Sequence, residues 1–148
     1  MTAPIDTGLM NHVALRTADP QRAAAFYRDV LGFVETPRPS FDFRGAWLHR
    51  REVGVMIHLI HDAAFQPALE GPINTRQGHV AIRVDDYDSA VAKLGARGIK
   101  FVERILPDYK YRQVFFRDPD GNVLELGEWP PANEMFPELT SVSGAECG

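Results

Sequence analysis

The amino-acid sequence predicts an α+β fold made of two copies of one module, each ordered strand, helix and three strands. The first observation is that residues 11–16 (NHVALR) recur almost letter for letter at 78–83 (GHVAIR), 67 positions later. The second is that the same offset carries His58 onto Glu125. The third is that hydrophobic spacing in each half changes from a period of two to a helical period and back. A fixed offset between the halves of a small chain is typical of a duplicated structural unit.

Length and composition predict one domain over residues 1–148 and exclude several classes of partner. The chain has 148 residues, of which 45% are hydrophobic, enough to fill a core. A formal net charge of −4, with Lys and Arg spread along the chain, offers nucleic acid no basic patch. The one cysteine, Cys147, permits no internal disulfide, which suits a reducing cytoplasm. Since no segment has the pattern of a signal peptide or a membrane span, we expect neither secretion nor membrane insertion.

The first module is predicted over about residues 9–62. It begins with a strand at 10–16, whose side chains alternate between two faces. Asp19 and Pro20 predict the start of a helix, because aspartate caps helix N-termini and proline fits the first helical position. Gly32 predicts its end. Three strands are then predicted, at 33–36, 43–50 and 55–61.

The second module is predicted over about residues 77–128, after a linker at 63–76 that is rich in Pro and Gly. Its helix should follow Asp86 and end between Gly95 and Gly98. Its strands are predicted at 79–84, 99–106, 111–117 and 123–127, with a turn at 118–122. The tail at 129–148 is expected to be helical around 133–139 and to act as a flap.

Pairing of the two modules would join their sheets into one curved eight-stranded mixed sheet, with the helices on its outer face and a cup-like inner face. On that inner face the pattern places four ionisable side chains, which are His12, His58, His79 and Glu125. Each alternates along its strand with apolar neighbours that must meet the helices. An ionisable group in such a position needs a polar partner on its own face, and these four are placed to be partners of one another.

Three imidazoles and one carboxylate form a donor set with a clear metal preference. Such a set suits one ion of Zn, Ni, Fe(II), Co or Mn, whereas Ca and Mg prefer all-oxygen ligands. Two histidines and one carboxylate on three strands leave coordination positions open, which is typical of catalytic rather than structural metal sites. The sequence therefore predicts a catalytic divalent metal held by His12, His58, His79 and Glu125.

Several strings carry a family resemblance: NHVAL at 11–15, FYRDVLGF at 26–33, GHVA at 78–81 and FRDPDGNVLEL at 116–126. Together they resemble the vicinal oxygen chelate superfamily, which contains glyoxalase I, bleomycin and fosfomycin resistance proteins, extradiol dioxygenases and methylmalonyl-CoA epimerase. Residues 41–48 and 57–59 are most similar to its glyoxalase-like proteins. The resemblance covers about residues 10–128 and implies paired βαβββ modules, a metal in the cup and a homodimer.

By this resemblance His12, His79 and Glu125 take the superfamily's ligand positions. Glyoxalase I has a carboxylate at the end of the fourth strand, where this chain has His58. Catalysis by His58 and Glu125 is therefore expected, with His58 as a ligand or as the base that moves a proton. The first functional hypothesis is a glyoxalase-like lyase or isomerase of a small oxygen-chelating substrate, thiol conjugates included. The alternatives are an Fe(II) ring-cleaving dioxygenase and a bleomycin-resistance-type protein that sequesters a ligand.

Further residues are candidates for substrate binding. Arg16 and Arg83 fall on the inner face, where a cation would clamp a carboxylate or phosphate, although strand-end ion pairs explain them equally well. Strand aromatics are candidates for lining the cup, although core packing is their more common role. These aromatics are Phe43, Trp47, Tyr111 and Phe115.

Overall fold

The structure, a computed structural model, describes residues 2–137 and has the predicted α+β fold. The first module contains β1 (His12–Thr17), α1 (Pro20–Leu31), β2 (Val34–Thr36), β3 (Gly45–His49) and β4 (Met56–His61). The second contains β5 (His79–Arg83), α2 (Tyr87–Ala96), β6 (Phe101–Ile105), β7 (Arg112–Arg117) and β8 (Val123–Gly127). A short helix, α3 (Ala132–Met135), follows. The order confirms the prediction of two βαβββ modules.

Hydrogen bonds divide the strands of residues 2–137 between two four-stranded sheets, ordered β1-β4-β3-β2 and β5-β8-β7-β6. Each sheet is mixed, because β1–β4 and β5–β8 are parallel whereas β2–β3 and β6–β7 are antiparallel. In these four pairs the registers of the two modules match at the 67-residue offset. Matched partners include His12 with Met56, His79 with Val123, Val34 with His49, and Phe101 with Phe116.

Helix α1 forms where its caps predict it. The Asp19 carboxylate accepts hydrogen bonds from the backbone N–H groups of the first turn, and Gly32 ends the helix in the left-handed conformation at φ 73°. Its inner face buries Tyr27 completely against its own sheet, which it contacts at β2, β3 and β4. On β4, Ile57 and Leu59 are buried, whereas the alternate His58 is only half-buried. The sheet therefore has the predicted helix-facing side and an opposite side that carries His58.

Helix α2 begins after Asp86, whose carboxylate accepts the N–H of Ser89. It continues through Gly95 and ends at Ala96, close to the predicted end. Among the contacts of α2 are those to β8. The β3 strand spans Gly45–His49, shorter at both ends than the prediction of 43–50.

Two compact units make up the chain, and their boundaries differ from those of the modules. The first unit comprises residues up to Pro72 together with Arg117–Asn122. The second comprises Ile73–Phe116 and the described residues from Val123 on. The turn between β7 and β8 thus belongs to the first unit, although it lies in the sequence of the second module.

The turn is held in the first unit by buried carboxylates. Asp118 accepts a hydrogen bond from the Tyr27 hydroxyl at 2.9 Å. Asp120 accepts one from the Ala18 N–H at 2.9 Å. Both aspartates are at most 2% exposed. Gly121 has φ 81°, and a Cβ there would collide with backbone of the same unit, so the turn requires glycine.

Within residues 2–137 the structure contains no helix with the length and apolar character needed to span a bilayer. The helix predicted around 133–139 corresponds in part to α3 (Ala132–Met135). Positions 138 and 139 of that prediction, and Cys147, lie outside the described residues.

Candidate functional site

The first module brings His12 and His58 together on neighbouring parallel strands. Ala14 lies opposite His58, so His12 is its diagonal neighbour on the same face of the sheet. The two imidazole rings stack at a centroid distance of 3.9 Å and an angle of 15°. Trp47, opposite His58 on β3, stacks on it at 4.4 Å and 7°. His12 and His58 are therefore in contact with each other, and Trp47 packs directly against His58.

The packing leaves one ring nitrogen of His58 without a hydrogen-bond partner among the described residues. This nitrogen, Nε2, is buried. Burial, followed by the nearby charges of His12 and Arg38, lowers the pKa of His58, which favours the neutral ring. His12 Nδ1 lies 2.9 Å from the Asn11 side-chain oxygen. Since that oxygen only accepts, Nδ1 is the donor of this contact, which orients the His12 ring.

The second module places a histidine against a carboxylate at the matching positions. His79 Nε2 lies 2.6 Å from Glu125 Oε2, and the Glu125 side chain is only 5% exposed. His79 Nδ1 lies 2.8 Å from the Gln77 carbonyl oxygen, which fixes the proton on Nδ1. A backbone carbonyl that accepts one ring N–H is the usual way in which proteins orient a metal-binding histidine. Glu125 also accepts a hydrogen bond from the Gln113 side-chain amide.

The second module differs from the first in the pairing of β7 with β8. In the first module the His61 N–H donates to the Arg44 carbonyl. The counterpart at the same offset would join Glu128 to Tyr111, but the Glu128 N–H donates to the Arg112 carbonyl. The pairing is thus displaced by one residue, and a one-residue displacement exchanges the faces of a strand.

The displacement brings Gln113 and Phe115 to the face of Glu125. Gln113 donates to Glu125, and the Phe115 ring meets the His79 ring edge-on at 5.5 Å and 82°. Sequence reasoning named Phe115 but missed Gln113. A glutamine on a strand carries no signal of its own, and only the register of its neighbour places it beside the carboxylate.

The arginines predicted for substrate binding each have an acidic neighbour. Arg16 Nη1 lies 3.3 Å from Asp62, and its guanidinium stacks over Phe65 at 4.7 Å. Arg83 Nη2 lies 2.6 Å from Asp85. The structure thus contains the ion pairs that were the alternative interpretation, and substrate contact by either arginine stays a prediction.

Tyr111 lies beside another aromatic residue of its hairpin. Its ring stacks on Tyr109 at 6.1 Å and 8°, and Tyr109 meets Phe136 at 6.2 Å. Tyr109 is half exposed, at 50%. Tyr111 is therefore part of an aromatic cluster of the second unit, and its contact with substrate stays a prediction.

Sequence reasoning missed Arg38. Its guanidinium lies over the rings of Phe41 and Phe43, at 4.7 and 5.3 Å from their centroids. Those two rings stack at 4.9 Å, and Phe41 lies 6.3 Å from Trp47. The FDF string at 41–43 contains the two aromatic residues, but no local pattern places the Arg38 guanidinium over them.

The donor atoms fit the predicted metal. Within residues 2–137, no three His, Cys, Asp or Glu side chains form one group placed to hold an ion, and the candidate ligands occur as two pairs. The first pair offers two imidazoles, and the second offers an imidazole and a carboxylate, which are donors that transition metals prefer. The buried, unpartnered His58 Nε2 is the orphan atom that a metal ion would satisfy. That both pairs share one ion stays a prediction.

Comparisons with known proteins agree with the fold and the motifs. A sequence model of the Glyoxalase/Bleomycin resistance protein/Dioxygenase superfamily matches residues 9–126. The chain is 29% identical over 126 residues to Glyoxylase I 4 of Arabidopsis thaliana, covering 83% of this chain and 72% of that protein. It is 33% identical over 122 residues to YaeR of Escherichia coli, covering 80% and 95% respectively.

Solved structures are similar over most of the chain. A glyoxalase family protein from Bacillus anthracis has a TM-score of 0.68 at 25% identity, with 88% of this chain and all of that chain (100%) covered. A lactoylglutathione lyase from Agrobacterium tumefaciens has a TM-score of 0.64 at 26% identity, covering 83% and 95%.

Proposed function

Because the chain belongs to the glyoxalase, bleomycin resistance protein and dioxygenase superfamily, we propose that it is a metal-dependent lyase or isomerase of the glyoxalase kind. Its substrate is a small molecule with two neighbouring oxygen atoms, including thiol conjugates. The observation that carries the proposal is the pairing of His12 with His58 and of His79 with Glu125 at matching strand positions. We further propose that the protein acts in the cytoplasm as a homodimer, and that neither nucleic acid nor a membrane is its partner.

In this proposal His12, His79 and Glu125 hold a divalent ion, with His58 as a fourth ligand or as the base. The ion, when bound, acts as a Lewis acid that stabilises negative charge on the substrate oxygens. The Gln77 carbonyl fixes the tautomer of His79, and the Gln113 amide fixes one oxygen of Glu125. Both ligands are thus oriented by the chain itself before any ion binds.

His58 has the properties of a proton carrier. Its lowered pKa keeps the ring neutral near pH 7, so Nε2 is free to accept a proton. In an isomerisation, Nε2 takes the proton from one carbon of the substrate and returns it to the adjacent carbon, so protons balance over the cycle. Stacking between Trp47 and His12 holds the imidazole plane in position during both transfers.

A second candidate function is sequestration of a ligand without chemistry. The observation that favours it is the cluster of rings next to the histidine pair, which includes Trp47, Phe41 and Phe43. Aromatic clusters of this kind bind planar molecules by stacking. The isomerase remains the first proposal, because glyoxalases and a lactoylglutathione lyase are among the relatives.

The test measures the metal content of purified protein and its isomerase activity together. We expect about one divalent ion per chain, and conversion of the methylglyoxal–glutathione hemithioacetal that stops in chelator. His79→Ala and Glu125→Gln should each lose the metal. The control is His61→Ala, a half-buried histidine at the end of β4 that should retain it. Full metal content in both ligand variants would show that the ligand assignment is wrong.

The same preparation separates the competing functions. Activity with Ni or Zn under anaerobic conditions would exclude the ring-cleaving dioxygenase, which needs Fe(II) and oxygen. Tight capture of an aromatic ligand without turnover, unchanged by chelator, would instead favour sequestration.

A further inference from the structure

We propose that Arg38, Phe41 and Phe43 form an anion-selecting subsite, here called the Arg38 subsite. Its ligand is a molecule that joins a planar apolar group to a carboxylate or a similar oxyanion. The inference deepens the proposed function, because it names the class of substrate that reaches the histidine pair. It rests on that function only for the identity of the reaction, since anion binding needs neither metal nor turnover.

The geometry holds the guanidinium in a fixed plane. Arg38 lies 4.7 Å from the ring centroid of Phe41 and 5.3 Å from that of Phe43. One of its terminal nitrogens donates to the Phe43 carbonyl at 3.3 Å. Stacking on two rings restricts a side chain that would otherwise lose rotamer entropy on binding. The subsite is therefore preorganised for a planar, bidentate acceptor.

The charge of Arg38 has no acidic partner in the described part of the chain. The ion pairs within residues 2–137 include Arg16 with Asp62 and Arg83 with Asp85, but none includes Arg38. Its Nε is buried and lacks a hydrogen-bond acceptor. A guanidinium that lacks both a counter-ion and part of its hydrogen-bond acceptors favours the binding of an oxyanion.

The apolar part of the ligand is assigned to the neighbouring rings. Phe41 and Phe43 are 44% and 38% exposed, so large aromatic surface remains open to solvent. Phe41 lies 6.3 Å from Trp47, which in turn stacks on His58. A continuous series of rings thus leads from the guanidinium to the histidine pair, all within the first unit.

The duplication provides an internal check. At the 67-residue offset, the positions of the Arg38 subsite are occupied in the second module by Ile105, Asp108 and Lys110. The cluster is absent from the copy, although the strands on either side of it share their register. A feature needed only to hold a β2–β3 type hairpin together would be expected in both modules.

The experiment compares two probes of nearly equal shape, 1-naphthoate and neutral 1-naphthalenemethanol, by calorimetric titration of metal-free protein in chelator. We expect wild type to bind the anion about tenfold more tightly than the alcohol. Arg38→Gln should bring the two affinities to within about twofold of each other, without weakening the alcohol. The matched control is Arg44→Gln, an exposed arginine of the same loop, which should keep the preference.

Equal affinity of wild type for both probes would overturn the inference, as would loss of the preference in Arg44→Gln. Arg38→Lys gives a second test if the glutamine variant does not fold, because lysine keeps the charge without the planar fork. It should retain part of the anion preference, and full retention would contradict the role assigned to the fork. The titration uses metal-free protein, so a negative result would not contradict the proposed metal site. Likewise, a negative result in the metal analysis would not contradict the Arg38 subsite.

Discussion

At matching positions of one strand register, the first module holds two stacked imidazole rings and the second holds an imidazole against a carboxylate. His58 has a buried nitrogen without a partner. Glu125, its counterpart, accepts one hydrogen bond from Gln113 and lies 2.6 Å from the His79 ring nitrogen. The two modules therefore share the positions of these side chains. The residue type at the position of His58 and Glu125 determines whether its polar atoms have a hydrogen-bond partner.

The two modules therefore differ in how their polar side chains affect the stability of the fold. The Glu125 carboxylate accepts a hydrogen bond from Gln113 and is thus presented already oriented. An unsatisfied atom such as His58 Nε2 costs stability until a ligand or a reaction uses it. Proteins commonly retain such destabilising groups where function requires them.

The largest effect is expected at the turn that the second module contributes to the first unit. Asp118→Ala should lower the free energy of unfolding by about 3 kcal/mol, because it leaves the buried Tyr27 hydroxyl and two turn N–H groups without an acceptor. Chemical denaturation measures it. Asp85→Ala is the control, since the Asp85 side chain is 84% exposed and its loss should cost under about 0.5 kcal/mol. Similar losses in both variants would contradict a structural role for the turn.

The two histidine pairs should respond in opposite directions to the same change. In metal-free protein, His58→Phe should raise the free energy of unfolding by about 1 kcal/mol, because the stack remains and the unpartnered nitrogen is removed. His79→Phe should lower it by about 2 kcal/mol, because the buried Glu125 carboxylate loses the ring nitrogen that lies 2.6 Å from it. Urea unfolding in chelator measures both. A loss of equal size in the two variants would remove the distinction between the pairs.

A smaller effect is expected at the matched helix caps. Asp19→Ala and Asp86→Ala should each cost about 1 kcal/mol. The first should cost more, since Asp19 accepts two backbone N–H groups and Asp86 accepts one. Thermal unfolding of the two variants measures the difference, with Asp42→Ala, an exposed loop residue, as the control. The reverse order would show that bond count does not set the cost of these caps.

The smallest effect concerns the pH dependence of the second unit. Hydrogen bonds from Arg112 lower the pKa of Glu128. A carboxyl with a lowered folded pKa stabilises the protein above its unfolded pKa, about 4.3, and the contribution is lost as the pH falls through the folded value. Glu128→Gln should therefore lower the melting temperature by about 2 °C at pH 7, and by less as the pH approaches 3. A difference that grew on acidification would contradict this assignment.

Much of the fold was predictable because its signals are local. Asp19, Pro20 and Gly32 predicted α1 through the caps themselves, and the structure has the helix between those residues. The 67-residue offset between His12 and His79 also relates the strand registers. The β1–β4 register matches that of β5–β8, and the β2–β3 register matches that of β6–β7. Within the site, each module joins the side chains that the pattern named.

Other parts of the site depend on contacts that no local pattern encodes. Gln113 reaches Glu125 because the β7–β8 pairing is displaced by one residue relative to its counterpart. Arg38 matters because a loop folds two phenylalanine rings beneath it. Periodicity predicts each strand by itself, but neither the register between two strands nor the path of a loop. The sequence analysis therefore named neither Gln113 nor Arg38.

The sequence by itself determined the two βαβββ modules, the faces of their strands and the candidate ligands, since periodicity and capping act over a few neighbouring residues. Contacts between distant segments pack Asp118 against Tyr27 and bring Gln113 to Glu125. They also leave Arg38 without an acidic partner within residues 2–137. The physical reason is that burial and pairing are set by segments far apart in the chain. An ionisable side chain can therefore stabilise the fold in one module, whereas its counterpart in the other module is available for binding or reaction.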